Sequence, residues 1–525
     1  MSFQAIITVD PYQPIGQIDP NIYGQFLCRR RYVADRGLYY PDHPDADKNG
    51  IRRSVEKAIA EAAPTIIRWP GGCTGNSYNW LDGIGPVEQR DRTMDTHFGI
   101  DVSNGFGTAE FINFCRRLNA EPQLNLNIGL GTLREGLDWL EYCNHDGNSR
   151  YANLRRSHGY EKPFDVRYWQ IGNENYHKAE IGSYDADEYA KIAHDWSIVM
   201  RKIDPYLKIL AVGSMAHYDI EWDLKVLKKA WGLIDYITIH RYWRYHINPE
   251  QENFEAIAAV GYLEERNMEA MSGLIQTVAN QTGNYKRVPR IAYTEWGSPV
   301  RGKVNQNPID QSNPPNQRKK NQLSQNTQFR LANALAAAGF LNACQRQCKF
   351  VGLNNYAQTI NVVGMLYVND EHVVKETVYW PQLMQRHYSG PTAINANVRC
   401  DTYSILFGNE HPLGGGRTIE GPLQSLDAVP YLDVSSTMDE EKKKIYVSIV
   451  NCHRDEEAVV HMRFADTAIK PEGLVHRLFH EDYNAMNTIK RPNNVVPQKI
   501  VISNADSDFE VSLPPHSYSI YELDF

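Results

Sequence analysis

WQIGNENYH (169–177) and IAYTEWGSP (291–299) each run a β-branched and aromatic strand pattern into a glutamate, Glu174 in the first and Glu295 in the second. Each glutamate stands where its strand pattern gives out. The flanking sequence shows what kind of sheet the two belong to. From about residue 20, short strand-like runs alternate with helical periods: NIYGQFL (21–27), TIIRW (65–69), QLNLNI (123–128), VRYWQIG (166–172), KILAVG (208–213), YITIH (236–240), RIAYTE (290–295) and FVGLNNY (350–356). Between them RRSVEKAIAEAA (52–63), GTAEFINFCRRLN (107–119) and DADEYAKIAHDWSIVMRKI (185–203) carry apolar residues at three- and four-residue spacings, the mark of one buried helix face. SQNTQFRLANALAAAGFLNAC (324–344) opens on serine and asparagine capping candidates and continues in strong helix formers.

Repeated strand-then-helix units predict a (β/α)8 TIM barrel. An open doubly wound sheet would want a glycine-rich phosphate turn, and no GxGxxG occurs. Strand C-termini meet on one face of such a barrel, so glutamates ending the fourth and seventh strands are expected to converge despite their distance in sequence.

Beyond YWPQLMQRHYSGP (379–391) the pattern turns to strict alternation, as in KKIYVSIVN (443–451), QKIVISN (498–504) and FEVSLPPHSYSIYELDF (509–525). This predicts a C-terminal antiparallel β-sandwich, jelly-roll-like, over 390–525. SFQAIITVD (2–10) alternates too, so residues 1–18 are expected to add a strand to that sandwich, leaving 19–389 as the barrel. The polar stretch 300–322 follows the Glu295 strand and is expected to be a surface loop, with a lid or subunit contact as the sharper reading.

The 525 residues carry a formal charge of −8, so no overall positive field recruits nucleic acid or an anionic membrane. A neutral substrate fits better. The N-terminal residues lack a basic segment followed by an apolar one, and no long apolar run occurs, which together predict a cytoplasmic protein. Eight scattered cysteines form neither CxxC pairs nor a disulfide framework; Cys344 and Cys348 stand four apart in a helical stretch with no histidine pair nearby.

Two convergent carboxyl groups suit glycosidic bond cleavage: one delivers a proton to the leaving oxygen, the other supports positive charge at the anomeric carbon. Asn173, next to Glu174, could bond a hydroxyl beside that carbon. Ionised Glu295 would keep its partner Glu174 protonated. Such chemistry requires no metal or organic cofactor, and none is expected. A metal-dependent hydrolase would need several histidines at strand ends, where only His240 stands. Trp80, Trp243 and Trp296 beside these motifs are candidates for stacking on sugar, with core packing as the alternative. His177 could contact a leaving sugar or be a plain loop histidine.

Six segments together resemble glycoside hydrolase family 51, whose best-known members are α-L-arabinofuranosidases: IIRWPGGCTGNSYNWLDGIGP (66–86), NGFGTAEF (104–111), YWQIGNENY (168–176), IHRYW (239–243), YTEWG (293–297) and NNYAQTINV (354–362). The resemblance implies an exo-acting retaining enzyme that releases terminal α-L-arabinofuranosyl residues from oligosaccharides, with Glu174 as acid/base and Glu295 as nucleophile. It further implies that Arg68 keeps the nucleophile ionised, that Cys73, Asn173, Tyr242 and Gln358 line the pocket for the terminal sugar, and that the chain forms a homo-oligomer, a hexamer in bacterial relatives. One position departs from the family. YGQFLCRR (23–30) places Cys28 where the family carries a sugar-binding glutamate. Losing such an acceptor costs about 1–3 kcal/mol, enough to alter glycone preference, and a smaller Cys28 could leave room for a hexofuranose side chain. Galactofuranosidase, xylosidase, endoglucanase and a silent sugar-binding protein are the alternatives.

Overall fold

The computed structural model describes residues 2–30, 32–215, 219–243, 254–297, 329–405 and 426–525. The 300–322 loop and the first residues of the helix expected over 324–344 lie outside them. Eight parallel strands close into a barrel. In chain order they are Gly24–Phe26, Ile66–Trp69, Glu121–Leu126, Tyr168–Ile171, Lys208–Val212, Tyr236–Tyr242, Arg290–Gly297 and Val351–Tyr356. The first is shorter than its sequence pattern. Pro20 begins a 3-10 turn over Pro20–Tyr23, and Asp19 caps it by accepting from the Asn21 amide, so only three residues remain extended.

Helices Arg53–Ala62, Thr108–Arg117 and Ala186–Ile203 form where the apolar spacing places them. The last is fixed at its start by a reciprocal cap between Asp185 and Glu188. Leu331–Arg346 is buried nearly throughout because it is sandwiched between the barrel and the C-terminal strands, which is why it lacks a polar face. Among the described residues, no helix is long and apolar enough to cross a membrane.

The C-terminal region is β-rich. Ser2–Gln17 joins it in a nine-stranded sheet, pairing antiparallel with Thr392–Arg399 and parallel with Glu457–Phe464. That parallel pair departs from the purely antiparallel expectation; the N-terminal strand enters from outside the meander and is free of hairpin constraint. The sheet encloses its own apolar cluster, including Ile7, Val9, Val447, Ile449, Val460 and Leu523.

Arg346 ties the two regions together. Its guanidinium bonds Glu265 on the long helix Val260–Thr282 and Asp433 on the strand Leu432–Asp439. Beside it, Asn342 receives Ser435, Ser448 and Gln385 donors on its side-chain oxygen. The Asn342 side-chain oxygen is thus well supplied with donors at the seam.

Candidate active site

Glu174 lies three residues beyond the fourth barrel strand, and Glu295 lies within the seventh. Glu174 has φ +47, a left-handed conformation that costs a non-glycine residue about 1–2 kcal/mol and must be held in place by its surroundings. Asn76 provides that hold on the preceding residue: its side chain accepts from the Asn173 amide at 3.1 Å and donates to the Asn173 carbonyl at 2.7 Å.

The two glutamates come together around His240, in the C-terminal half of the sixth strand. Carboxylate oxygens of Glu174 and Glu295 and a ring nitrogen of His240 all lie within 4.8 Å of one another. His240 Nδ1 is 2.8 Å from Glu174 Oε1 and 3.8 Å from Glu295 Oε1. Its Nε2 is 2.9 Å from the Thr294 hydroxyl, which fixes the ring plane.

Each oxygen of Glu295 has its own donor. Arg68, buried within the second strand, donates from Nη1 to Oε1 at 2.7 Å. Tyr242 donates from its hydroxyl to Oε2 at 2.7 Å. Burial, and after it the charge on Glu295, push the Tyr242 hydroxyl well up, so it stays a donor. Arg68 Nη2 also donates to Asn173 Oδ1 at 2.6 Å, linking the residue before one glutamate to the other glutamate. Gly72 passes beneath this pair: a Cβ there would sit 2.4 Å from Glu295 Oε1. Only glycine permits so close an approach.

The remaining residues singled out by sequence fall as follows. Asn173 Nδ2 and Gln358 Oε1 are buried with no hydrogen-bond partner among the described residues. Gln358 follows Ala357, whose amide bonds the Trp296 carbonyl beside Glu295. Cys73 is half-buried; burial first, then Glu174, Glu180 and Glu295, push its thiol well up, and it hydrogen-bonds Glu180. Cys28 is buried with Sγ 3.5 Å from the Thr74 hydroxyl. Trp80 stacks on Trp139, while Trp243 and Trp296 pack against Phe340, so these rings are core. His177 Nδ1 accepts from the Ala179 amide, as a loop residue does.

Sequence reading missed Glu180, His97 and Asn76. Glu180 lies in the loop after Glu174 and is pushed up to about 7, first by burial and then by the charge on Glu174. Asn76 reaches its Oε2 at 3.4 Å. No local pattern announces these residues, because loops from three parts of the chain bring them together.

Comparison with known proteins agrees with this geometry. A family model described as the α-L-arabinofuranosidase 1 domain matches residues 58–258, and one described as the α-L-arabinofuranosidase C-terminal domain matches 295–517. Alpha-L-arabinofuranosidase C of Emericella nidulans is 32% identical over 465 residues, 86% of this chain and 85% of that protein. A Bacillus subtilis protein named intracellular exo-alpha-(1->5)-L-arabinofuranosidase 1 is 27% identical, and the match covers 99% of each chain. The crystal structure of an α-L-arabinofuranosidase from Thermotoga maritima, an arabinose complex, superposes with a TM-score of 0.86 at 32% identity, covering 99% of this chain and 100% of that one.

Proposed function

The chain belongs to the α-L-arabinofuranosidases of glycoside hydrolase family 51, glycosidases acting on arabinofuranosides, and we propose that it removes terminal α-L-arabinofuranosyl residues from oligosaccharides by double displacement. Glu295 is the nucleophile and Glu174 the acid/base. In the first step a Glu295 oxygen bonds the anomeric carbon while the bond to the leaving oxygen breaks, and Glu174 gives that oxygen its proton. In the second, water attacks the anomeric carbon, passes its proton to Glu174, and Glu295 departs as carboxylate.

The observation that carries this reading is the approach of the two carboxyl groups to within 4.8 Å around His240. Retaining enzymes hold their carboxyls about 5–5.5 Å apart, whereas inversion needs about 6.5–9.5 Å to admit a water. The asymmetry of the pair supports the division of roles. Glu295 has Arg68 for charge compensation and Tyr242 for orientation, as an attacking carboxylate requires. Glu174 meets the imidazole of His240 instead, at 2.8 Å. Asn173 and Gln358 line the glycone pocket: their buried unpaired atoms, costly when left so, fit sugar hydroxyls. Cys73 adds a thiol at the same wall.

The substrate is an arabinose-containing oligosaccharide, met in the cytoplasm by a homo-oligomeric enzyme. Support comes from the word intracellular in the name of the full-length Bacillus subtilis relative and from the −8 charge, which disfavours nucleic acid and anionic membranes. Residues 19–389 form the catalytic unit, and 1–18 with 390–525 form the second unit, a division supported by the pairing of Ser2–Gln17 with Thr392–Arg399.

Proton NMR of the first turnover tests the mechanism. Arabinose released initially as the α anomer supports double displacement. The β anomer as first product refutes it.

A further inference from the structure

Beside the two glutamates stands a group of side chains that take no part in bond cleavage, Cys73 at the wall of the glycone pocket together with His97 and Glu180. One donor atom from each lies within 4.8 Å of the other two. His97 Nδ1 is 4.0 Å from Glu180 Oε2, and Cys73 hydrogen-bonds Glu180. The three arrive from different parts of the chain. Cys73 opens the 3-10 turn Cys73–Ser77 after the second barrel strand, His97 sits between the short strands Thr93–Asp95 and Ile100–Val102, and Glu180 is in the loop after Glu174.

Thiolate, imidazole and carboxylate form a three-ligand set that leaves a fourth tetrahedral position open, in the softness range of zinc. Ligand bonds of about 2.0–2.3 Å place tetrahedral donor atoms roughly 3.5 Å apart. The 4.0 Å between His97 Nδ1 and Glu180 Oε2 therefore needs to close by about 0.5 Å, which the 20%-exposed His97 side chain can supply by rotation. An outer partner is already in place: Asn76 Nδ2 bridges Glu180 Oε2 and the Asn173 carbonyl, holding the Glu180 carboxylate to the active-site backbone. Charge also favours a cation. Glu174, Glu180 and Glu295 all act on the Cys73 thiol and outnumber Arg30, which also faces it, while Arg68 is committed to Glu295 and Asn173.

We propose that Cys73, His97 and Glu180 bind one divalent cation of the zinc class, with its open coordination position turned toward the glycone pocket, where a sugar hydroxyl takes it. Binding expels the thiol proton to solvent, since a coordinating thiol is deprotonated. The ion orients sugar and takes no part in bond cleavage. Its contact with sugar, though not its binding, rests on the glycone pocket assigned above.

Cobalt(II) is the probe, titrated anaerobically into the full-length, chelator-treated protein. Expected are a thiolate-to-cobalt charge-transfer band and tetrahedral d–d bands that saturate at one equivalent and vanish on adding zinc. Cys73→Ser removes the charge-transfer band, while Cys28→Ser keeps it. His97→Ala weakens cobalt binding by more than the roughly 10–100-fold typical of outer-shell changes, with an unchanged melting temperature. L-Arabinose, with binding verified by calorimetry, shifts the d–d bands. Absence of a charge-transfer band, or its persistence in folded Cys73→Ser, overturns the site. Bound arabinose that leaves the d–d bands unmoved overturns the open position facing sugar. Arabinose that binds neither metal-free nor cobalt-loaded protein counts against the furanosidase reading, and cobalt binding is then judged by the charge-transfer band alone.

Discussion

Replacing Tyr242 with phenylalanine removes one hydroxyl and keeps the ring. That hydroxyl donates to Glu295 Oε2 at 2.7 Å, while Arg68 holds only Oε1 at the same distance. Without it the carboxylate keeps its charge partner and loses the bond that fixes its plane. A hydrogen bond to a charged group in a buried setting contributes about 1.5–3 kcal/mol. Expressed fully in the glycosylation transition state, this lowers kcat/KM about 10- to 100-fold. The assay is steady-state hydrolysis of 4-nitrophenyl α-L-arabinofuranoside by wild type and Tyr242→Phe, with melting temperatures measured alongside to verify folding. A folded variant whose kcat/KM falls less than about 3-fold would refute the idea that Tyr242 aligns Glu295.

Asp223 is fully buried and pushed up to about 8, chiefly by burial. Its folded pKa lies above its unfolded value near 3.8, so the stability it contributes is present below that value and lost as pH rises toward 8. Asp223→Asn should therefore have a higher unfolding free energy than wild type in chemical denaturation at pH 9, by about 4–6 kcal/mol, with a smaller difference at pH 4; equal unfolding free energies at pH 9 would count against it. Arg346→Ala leaves Glu265 and Asp433 without their shared cation at the seam and should cost about 3 kcal/mol in chemical denaturation; a loss under 1 kcal/mol would mean the network is dispensable. Aryl galactofuranosides compared with aryl arabinofuranosides test glycone choice. Arabinofuranoside hydrolysis should be faster, and the reverse would show that the glycone pocket takes a hexofuranose side chain.

The barrel was legible because its period is local: most strands announce themselves by β-branched or aromatic residues, and the amphipathic helices by spacing. RIAYTE and VRYWQIG were enough to put Glu295 on one strand of the cylinder and Glu174 just past the end of another, and the barrel geometry then brings them together. Where a local signal competes, the pattern misleads. NIYGQFL reads as one strand, yet Asp19 and Pro20 turn its first half into a 3-10 helix. The tryptophans beside the motifs share the composition of a sugar platform, but Phe340 and Trp139 claim their faces. Cys73, His97 and Glu180 show the opposite limit. Nothing in their sequence spacing relates them, because their proximity is set by three loops whose course depends on the folded barrel.

Trapping the glycosyl-enzyme tests the central claim most directly. Glu174→Ala should still accept an arabinofuranoside with a good leaving group such as 2,4-dinitrophenol, which departs without protonation, and should then hydrolyse the intermediate slowly. Peptide mass spectrometry of the quenched protein is expected to find one pentosyl group esterified to Glu295. A pentosyl group on another residue, or rapid turnover with no adduct in the folded variant, would contradict the assignment of these two glutamates.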